Sequence, residues 1–160
     1  MRKQNAGKVG VKAPQIGQRF FMDFGFMQAS SVDYTKPNKL TDRVVDSYDG
    51  FSAYLAIVDE TSRHIWVFLR KSKEPPVDLT STFLLLHRLD SEGVVRCDQG
   101  GELTCRNAFR TVLLEKNHYV VEPTGADSPS QNRGVEKWND TLLVTVRALL
   151  YGAALQPKYW

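Results

Sequence analysis

Val94-Val95-Arg96-Cys97-Asp98-Gln99-Gly100-Gly101-Glu102 is the stretch whose reading decides the fold. Two β-branched residues and a short polar step lead into a carboxylate, and a Gly-Gly pair follows. The valines favour a buried, extended segment, and the glycines let the next stretch of backbone turn and come close to a ligand. A carboxylate at the C-terminal end of a buried strand is poorly placed for packing and well placed for a metal. The question for the rest of the chain is which other acids can meet Asp98 there.

Immediately upstream, Pro76 suits the first turn of a helix, and Leu79, Phe83, Leu86 and Leu89 or Asp90 recur at helical spacing until Ser91-Glu92-Gly93 closes it. Strand, helix, strand in this order gives a parallel pairing with a right-handed crossover. Downstream, Phe109, Val112 and Leu113 mark a second helix ending near Lys116-Asn117, and Tyr119-Val120-Val121-Glu122 is a short fifth strand stopped by Pro123. Ser128-Pro129-Ser130-Gln131 offers a Ser cap, Pro at the first helical position and Gln three residues after the cap. Gly134 argues for a regular helix beginning a few residues later. From there Val135, Trp138, Leu142, Val146, Leu149 and Ala153 form one apolar stripe that packs a long helix on the sheet.

The N-terminal half supplies three more strands. Arg19 to Met27 is aromatic-rich and apolar on both faces, which predicts a central strand. Phe51 to Val58 and Arg63 to Arg70 are strands two and three, and the Asp59-Glu60-Thr61-Ser62 turn makes them an antiparallel hairpin. Ala29 to Gly50, polar and containing Pro37-Asn38, reads as a long loop. Met1 to Gly17, basic and Gly-rich, reads as a linker ahead of one domain over 18–160. The predicted class is α/β: a five-stranded mixed sheet flanked by helices, with the first three strands antiparallel and the fourth and fifth parallel to the first.

The totals fit one domain. The 160 residues are 42% hydrophobic, enough for a single core, and 17 aromatics argue against disorder. The net charge of +3 is compatible with nucleic acid without pointing to it. Two cysteines, Cys97 and Cys105, make neither a disulfide scaffold nor a zinc site at this spacing, which favours a reducing compartment. No apolar run is long enough to span a membrane. The ending Gln156-Pro157-Lys158-Tyr159-Trp160 after a strong helix reads as a truncation of something longer.

Two further acids are placed to join Asp98. Asp23 lies inside the central strand, where a carboxylate needs a cation, a proton or hydrogen-bond donors; backbone N–H groups at a strand end would also serve. Glu136 begins the long helix at the border of its apolar stripe, where it is either a solvated first-turn acid or a ligand. Three convergent carboxylates would repel one another and raise their own pKa values, and divalent ions relieve this. An all-oxygen site suits two Mg²⁺ or Mn²⁺ ions, a pair that serves in-line displacement at a phosphodiester.

Glu136 stands thirty-eight positions after Asp98, with Asp23 upstream. This resembles the two-Asp-then-Glu pattern of retroviral and retrotransposon integrases, with a gap slightly longer than usual there. Asp98-Gln99-Gly100-Gly101-Glu102-Leu103 is similar to that family's Asp-Asn-Gly-Gly-Glu-Phe. Asp127-Ser128-Pro129-Ser130-Gln131-Asn132 and Val135-Glu136-Lys137-Trp138-Asn139-Asp140-Thr141-Leu142 resemble the segment carrying its Glu. Val58-Asp59-Glu60-Thr61-Ser62-Arg63 with Trp66 resembles its second-to-third strand turn. Together these resemble the copia-type (Pseudoviridae-like) integrase catalytic core from about Gly17 onward.

The resemblance implies a ribonuclease H-like fold and two Mg²⁺ or Mn²⁺ ions held by Asp23, Asp98 and Glu136. It implies 3′-end processing and strand transfer on element ends and target DNA, in homo-oligomers acting in a cytoplasmic particle and the nucleus. It also implies an upstream His/Cys zinc domain and a C-terminal region beyond this chain. Gln99 in place of Asn, Arg133-Gly134 before the Glu, and Asp140 where a basic or small residue is frequent depart from the family. Gln131, Asn132, Arg133 and Lys137 flank Glu136 and are the candidate DNA-backbone contacts. Two other readings stand beside this one. A ribonuclease H proper would need a fourth acid on the first helix, where Asp78 and Asp90 lie near the ends. A non-catalytic integrase remnant would only bind nucleic acid or itself.

Overall fold

The computed structural model describes residues 15–32, 40–87, 92–98, 103, 107–124 and 129–160. At positions 29–32, 40–43, 98, 124 and 129–136 it describes backbone but not side chains. The chain runs β1 (Arg19–Gly25), β2 (Gln28–Val32), β3 (Leu40–Val44), β4 (Ala53–Asp59), β5 (Ile65–Arg70), α1 (Val77–His87), β6 (Gly93–Asp98), α2 (Asn107–Asn117), β7 (Tyr119–Thr124) and α3 (Pro129–Gly152), then a 3-10 turn at Pro157–Tyr159.

Five strands form one sheet in the order β5-β4-β1-β6-β7. β4 runs antiparallel to both β1 and β5, whereas β6 runs parallel to β1 and to β7. Three antiparallel strands followed by two parallel ones, with a helix in each parallel crossover and a long helix last, is the ribonuclease H-like arrangement expected above. β1 is central because both its faces are apolar: Phe20 and Met22 point to one side and Phe21 to the other, all nearly inaccessible to water.

The two faces are covered differently. On one, Phe20, Met22, Leu55, Ile57, Val95 and Cys97 of the sheet pack with Phe83 and Leu84 of α1 and Phe109 and Leu113 of α2. Phe83 stands edge-on to Phe20 and Trp66, with ring centroids 5.2 and 5.0 Å apart. On the other face Phe21 and Val58 are buried under Ile65 and Trp138, the latter from α3.

The β4–β5 turn is held by Asp59, which has no exposed surface. Its carboxylate accepts from the N–H groups of Gly17 (2.7 Å), Thr61 (3.1 Å) and Ser62 (2.6 Å) and from the Ser62 hydroxyl (2.8 Å). Burial alone pushes this carboxyl up, but the Ser62, Gly17 and Thr61 donors outweigh it and hold the pKa below the ordinary value. The resemblance between Val58–Arg63 and the integrase turn thus falls on a tightly built corner.

Several elements differ from the sequence reading. β2 and β3 form a separate antiparallel pair inside the stretch read as a loop. Their residues are largely polar, as a two-stranded ribbon with little to bury allows, so the apolar alternation that announces a strand is missing. β1 ends at Gly25 rather than Met27, and β7 runs on through Pro123 to Thr124. β7 lies at the sheet edge, where a residue without an N–H is tolerated. α3 starts at Pro129 despite Gly134. In α1 the buried positions are Thr80, Phe83 and Leu84, and Leu86 is 75% exposed; four consecutive apolar residues at 83–86 leave the helical phase ambiguous. The α3 stripe holds through Trp138, Leu142 and Val146 and then fails, because Leu149 is 68% exposed and Ala153 is exposed too. Near the end of α3, Leu150 instead lines a cavity with Met27 and Pro157. Of the N-terminal linker, residues 1–14 lie outside the described residues. So do Asp90, the Gly-Gly turn after Asp98, and Asp127-Ser128.

Candidate functional site

The parallel register between β1 and β6 pairs Met22 with Cys97. One step further along each strand brings Asp23 and Asp98 to the same level at the C-terminal side of the sheet, on adjacent strands. Side-chain alternation fixes the face. Met22 and Cys97 belong to the core under α1 and α2, so positions 23 and 98 share the α3 face. Arg96 confirms the parity: its guanidinium stands 5.8 Å from the centre of the Phe21 ring, on that same side.

α3 crosses over this end of the sheet. Asn139 Nδ2 donates to Asp23 Oδ2 at 2.9 Å, which ties the helix to the central strand. At 3.6 residues per turn, position 136 lies one turn before Asn139 on the same helical face. Backbone geometry therefore brings the three acid-bearing positions to one end of one face. Asp23 is half-buried with its side chain described; the side chains of Asp98 and Glu136 lie outside the described residues. Among the described residues no three His, Cys, Asp or Glu side chains gather as a metal site. In donor chemistry a set of three carboxylates fits a hard divalent ion of the magnesium or manganese type.

Arg96 is paired with Glu122 at 3.0 Å across β6 and β7. Because α3 starts at Pro129, Glu136 and Lys137 lie about two turns inside the helix rather than at its start, and Lys137 is exposed. Gln131, Asn132 and Arg133 are helical in the first turns of α3, with side chains outside the described residues. His87 ends α1 against Trp66 and Phe83, far from this face, and Cys97 is buried in the core.

Two residues near Asp23 escaped the sequence reading. Asn139 had a signal, its position three after Glu136. Tyr54 had none, because its role depends on strand register: it faces Gly25 across β4 and β1. Burial first, and then the nearby negative charges of Asp23 and Asp140, raise the Tyr54 phenol to about 12, with Arg147 opposing.

With this geometry in view, the chain is related in sequence to a retrovirus-related transposon polyprotein. It is 27% identical over 119 residues to the retrovirus-related Pol polyprotein from transposon TNT 1-94 of Nicotiana tabacum, a match covering 72% of this chain and 9% of that protein. The chain thus spans about a tenth of the length of the curated relative it matches. No protein-family model matches it. Among solved structures, it is similar to a chain in a cryo-EM structure of the simian T-cell lymphotropic virus intasome in complex with PP2A regulatory subunit B56 gamma. That likeness has 12% identity and a TM-score of 0.46, over 90% of this chain and 48% of the other.

Proposed function

We propose that residues 18–160 are the catalytic core of a copia-type retrotransposon integrase, a divalent-metal-dependent polynucleotidyl transferase that processes DNA 3′ ends and joins them to target DNA. The observation that carries this reading is the register placing Asp23 level with Asp98 on adjacent parallel strands, beneath a helix anchored to Asp23 through Asn139. The similarity to a transposon Pol polyprotein supports it.

In this reading Asp23, Asp98 and Glu136 hold two Mg²⁺ or Mn²⁺ ions. When bound, the ions supply charge neutralisation at the attacking and leaving oxygens of the phosphodiester. The protein's part is to fix the carboxylates on rigid elements. Asp23 and Asp98 stand on the two innermost parallel strands, and the Asn139 amide holds one oxygen of Asp23 and leaves the carboxylate oriented. Lys137, with Gln131, Asn132 and Arg133, holds the DNA backbone beside the reacting phosphate without reading sequence, so binding falls steeply with salt. The protein acts as a homo-oligomer on element ends and target DNA, alongside further integrase domains, in a cytoplasmic particle and the nucleus. No helix among the described residues is long and apolar enough to cross a membrane.

The ribonuclease H alternative is less well supported. Asp78 lines a groove with Trp66, Phe68 and Phe83 on the face opposite Asp23, which leaves the fourth acid to Asp90.

Divalent-dependent nicking, or disintegration of branched DNA, tests the proposal. Wild-type protein is expected to act with Mn²⁺ or Mg²⁺, and Asp23→Asn, Asp98→Asn or Glu136→Gln each to abolish product. Activity surviving Asp98→Asn rejects the assignment. Salt-sensitive DNA association with no metal dependence and no product would instead identify a binding-only remnant.

A further inference from the structure

The turn that leads into β4 is tightly closed. Ser47 N–H donates to the Phe51 carbonyl at 2.7 Å, Phe51 N–H donates to the Ser47 hydroxyl at 2.9 Å, and Gly50, at φ +76°, donates to the Ser47 carbonyl at 2.9 Å. Tyr48 stands in this turn and is 70% exposed. The 3-10 turn at Pro157–Tyr159 is strapped against the same corner. Tyr48 N–H donates to the Lys158 carbonyl at 2.6 Å, and Trp160 Nε1 donates to the Val45 carbonyl at 2.7 Å. These bonds hold the Tyr159 ring against the Tyr48 ring, with centroids 5.6 Å apart and planes 18° from parallel. Tyr159 is itself 47% exposed.

Lys158 Nζ lies 5.9 Å from the Tyr48 centroid and 5.3 Å from that of Tyr159. Distances so nearly equal put the ammonium beside the ring pair; one capping an outer face would be close to one ring and far from the other. The outer faces of the pair are therefore left uncapped by it. Lys71 stands 5.6 Å from the Phe51 ring at the foot of the same turn. Neither Lys71 nor Lys158 makes an ion pair among the described residues.

This corner adjoins the candidate site. Trp160 meets Tyr54 edge-on at 6.5 Å, and Tyr54 pairs with Gly25, two residues beyond Asp23 on β1. Exposed rings in a fixed geometry with a cation beside them fit unpaired nucleobases: every base has a π-face, stacking does not read sequence, and a lysine takes the phosphate. A duplex fits poorly. Its bases are stacked on one another, and its dense phosphate charge would meet Asp46 and Asp49, exposed on either side of Tyr48 in the chain.

We infer that Tyr48, Tyr159 and Lys158 form a stacking platform for an unpaired stretch of the DNA substrate, with a base on the exposed tyrosine pair and a phosphate on Lys158. The inference rests on the reading of this chain as one that acts on DNA. It adds a grip on single-stranded DNA that the residues around Glu136 do not supply.

The test is fluorescence anisotropy of the full chain, without divalent metal, on a blunt DNA duplex and on the same duplex carrying a short unpaired tail. Wild type is expected to bind the tailed duplex more tightly. Tyr48→Ala should weaken binding to the tailed duplex by about 10-fold and leave blunt-duplex binding unchanged, since stacking of one base contributes on this scale. Tyr48→Phe should bind as wild type and Tyr48→Leu as Tyr48→Ala, because the ring face is used and not the hydroxyl or the bulk; this pair decides the matter if Tyr48→Ala melts early. Lys158→Gln should lower the log–log salt slope on the tailed duplex by about 0.7. Equal wild-type affinity for the two DNAs overturns the inference, as does Tyr48→Leu binding the tailed duplex as well as Tyr48→Phe does. Absence of binding to either DNA overturns it together with the DNA-acting reading. Asp23→Asn separates the platform from the metal site. If Asp23→Asn nicks as wild type while tail binding is lost in Tyr48→Leu, the metal reading fails and the platform stands. If Asp23→Asn is dead and Tyr48→Leu binds normally, only the platform is refuted.

Discussion

The two faces of the central sheet are built for different ends. Under α1 and α2, Phe20, Met22, Leu55, Ile57, Val95 and Cys97 meet Phe83, Leu84, Phe109 and Leu113 in a dry, aromatic-rich core. Under α3 the buried apolar cluster is smaller, Phe21 and Val58 with Ile65 and Trp138, and the seam between sheet and helix also carries Asp23, Asn139 and the Tyr54 hydroxyl. The first face supplies the burial that folds a domain of this size. The second carries the carboxylate of Asp23, which no folding argument calls for and which serves the site in the function proposed above. The contrast explains how one sheet tolerates an acid in its central strand: stability is drawn from the other side.

If that division is right, substitutions on the two faces should separate stability from activity. The largest effect is expected for Asp23→Asn, a loss of at least about 100-fold in metal-dependent nicking with little change in melting temperature; a large drop in melting temperature would make Asp23 structural instead. On the opposite face, Phe109→Ala, at a position with no exposed surface, should cost about 3–5 kcal/mol in denaturant unfolding.

Asp59→Asn tests the corner that joins the faces and should cost about 1.5–3 kcal/mol. Its pH signature is distinct. The folded carboxyl lies below its usual range, so its stabilisation is present above the unfolded value of about 3.9 and is lost as pH falls through the folded pKa. Stability of Asp59→Asn should therefore vary less with pH below about 4 than wild type does, as measured by unfolding at pH 2–5. Gly25→Ala pushes a methyl into the Tyr54 ring; an overpacking cost of about 1–3 kcal/mol in denaturant unfolding is expected. Least of all, Leu86→Gln, at a 75% exposed site, should change stability by no more than about 0.5 kcal/mol. A larger loss there would mean that the outer side of α1 is covered in solution.

Much of this plan was legible beforehand, for identifiable reasons. The five sheet strands announced themselves through apolar runs punctuated by Asp59–Ser62, Pro75-Pro76 and Ser91–Gly93, most plainly in β1 and β4, because a strand buried on both faces leaves few polar residues. The β2–β3 ribbon did not, since little of it needs to be apolar. Helix phase was readable where acids and amides broke the apolar run, as at Trp138-Asn139-Asp140, and unreadable across Phe83–Leu86 and in the last turns of α3. At the site, Asp23 could be singled out because a carboxylate amid Phe20, Phe21, Met22 and Phe24 is costly without a partner.

By itself, the order of residues determined the five strands of the main sheet and the three helices, the central place of β1, and the fact that acids stood inside a central strand, at a strand end and on the last long helix. These follow from local propensity and from the cost of burying charge, both of which are written residue by residue. Only the tertiary structure decided that Asp23 and Asp98 stand level on neighbouring strands, that Asn139 reaches the first of them, and that Tyr54 lies over Gly25. Register and the seating of α3 join positions far apart in the chain, and they are fixed by how whole faces pack.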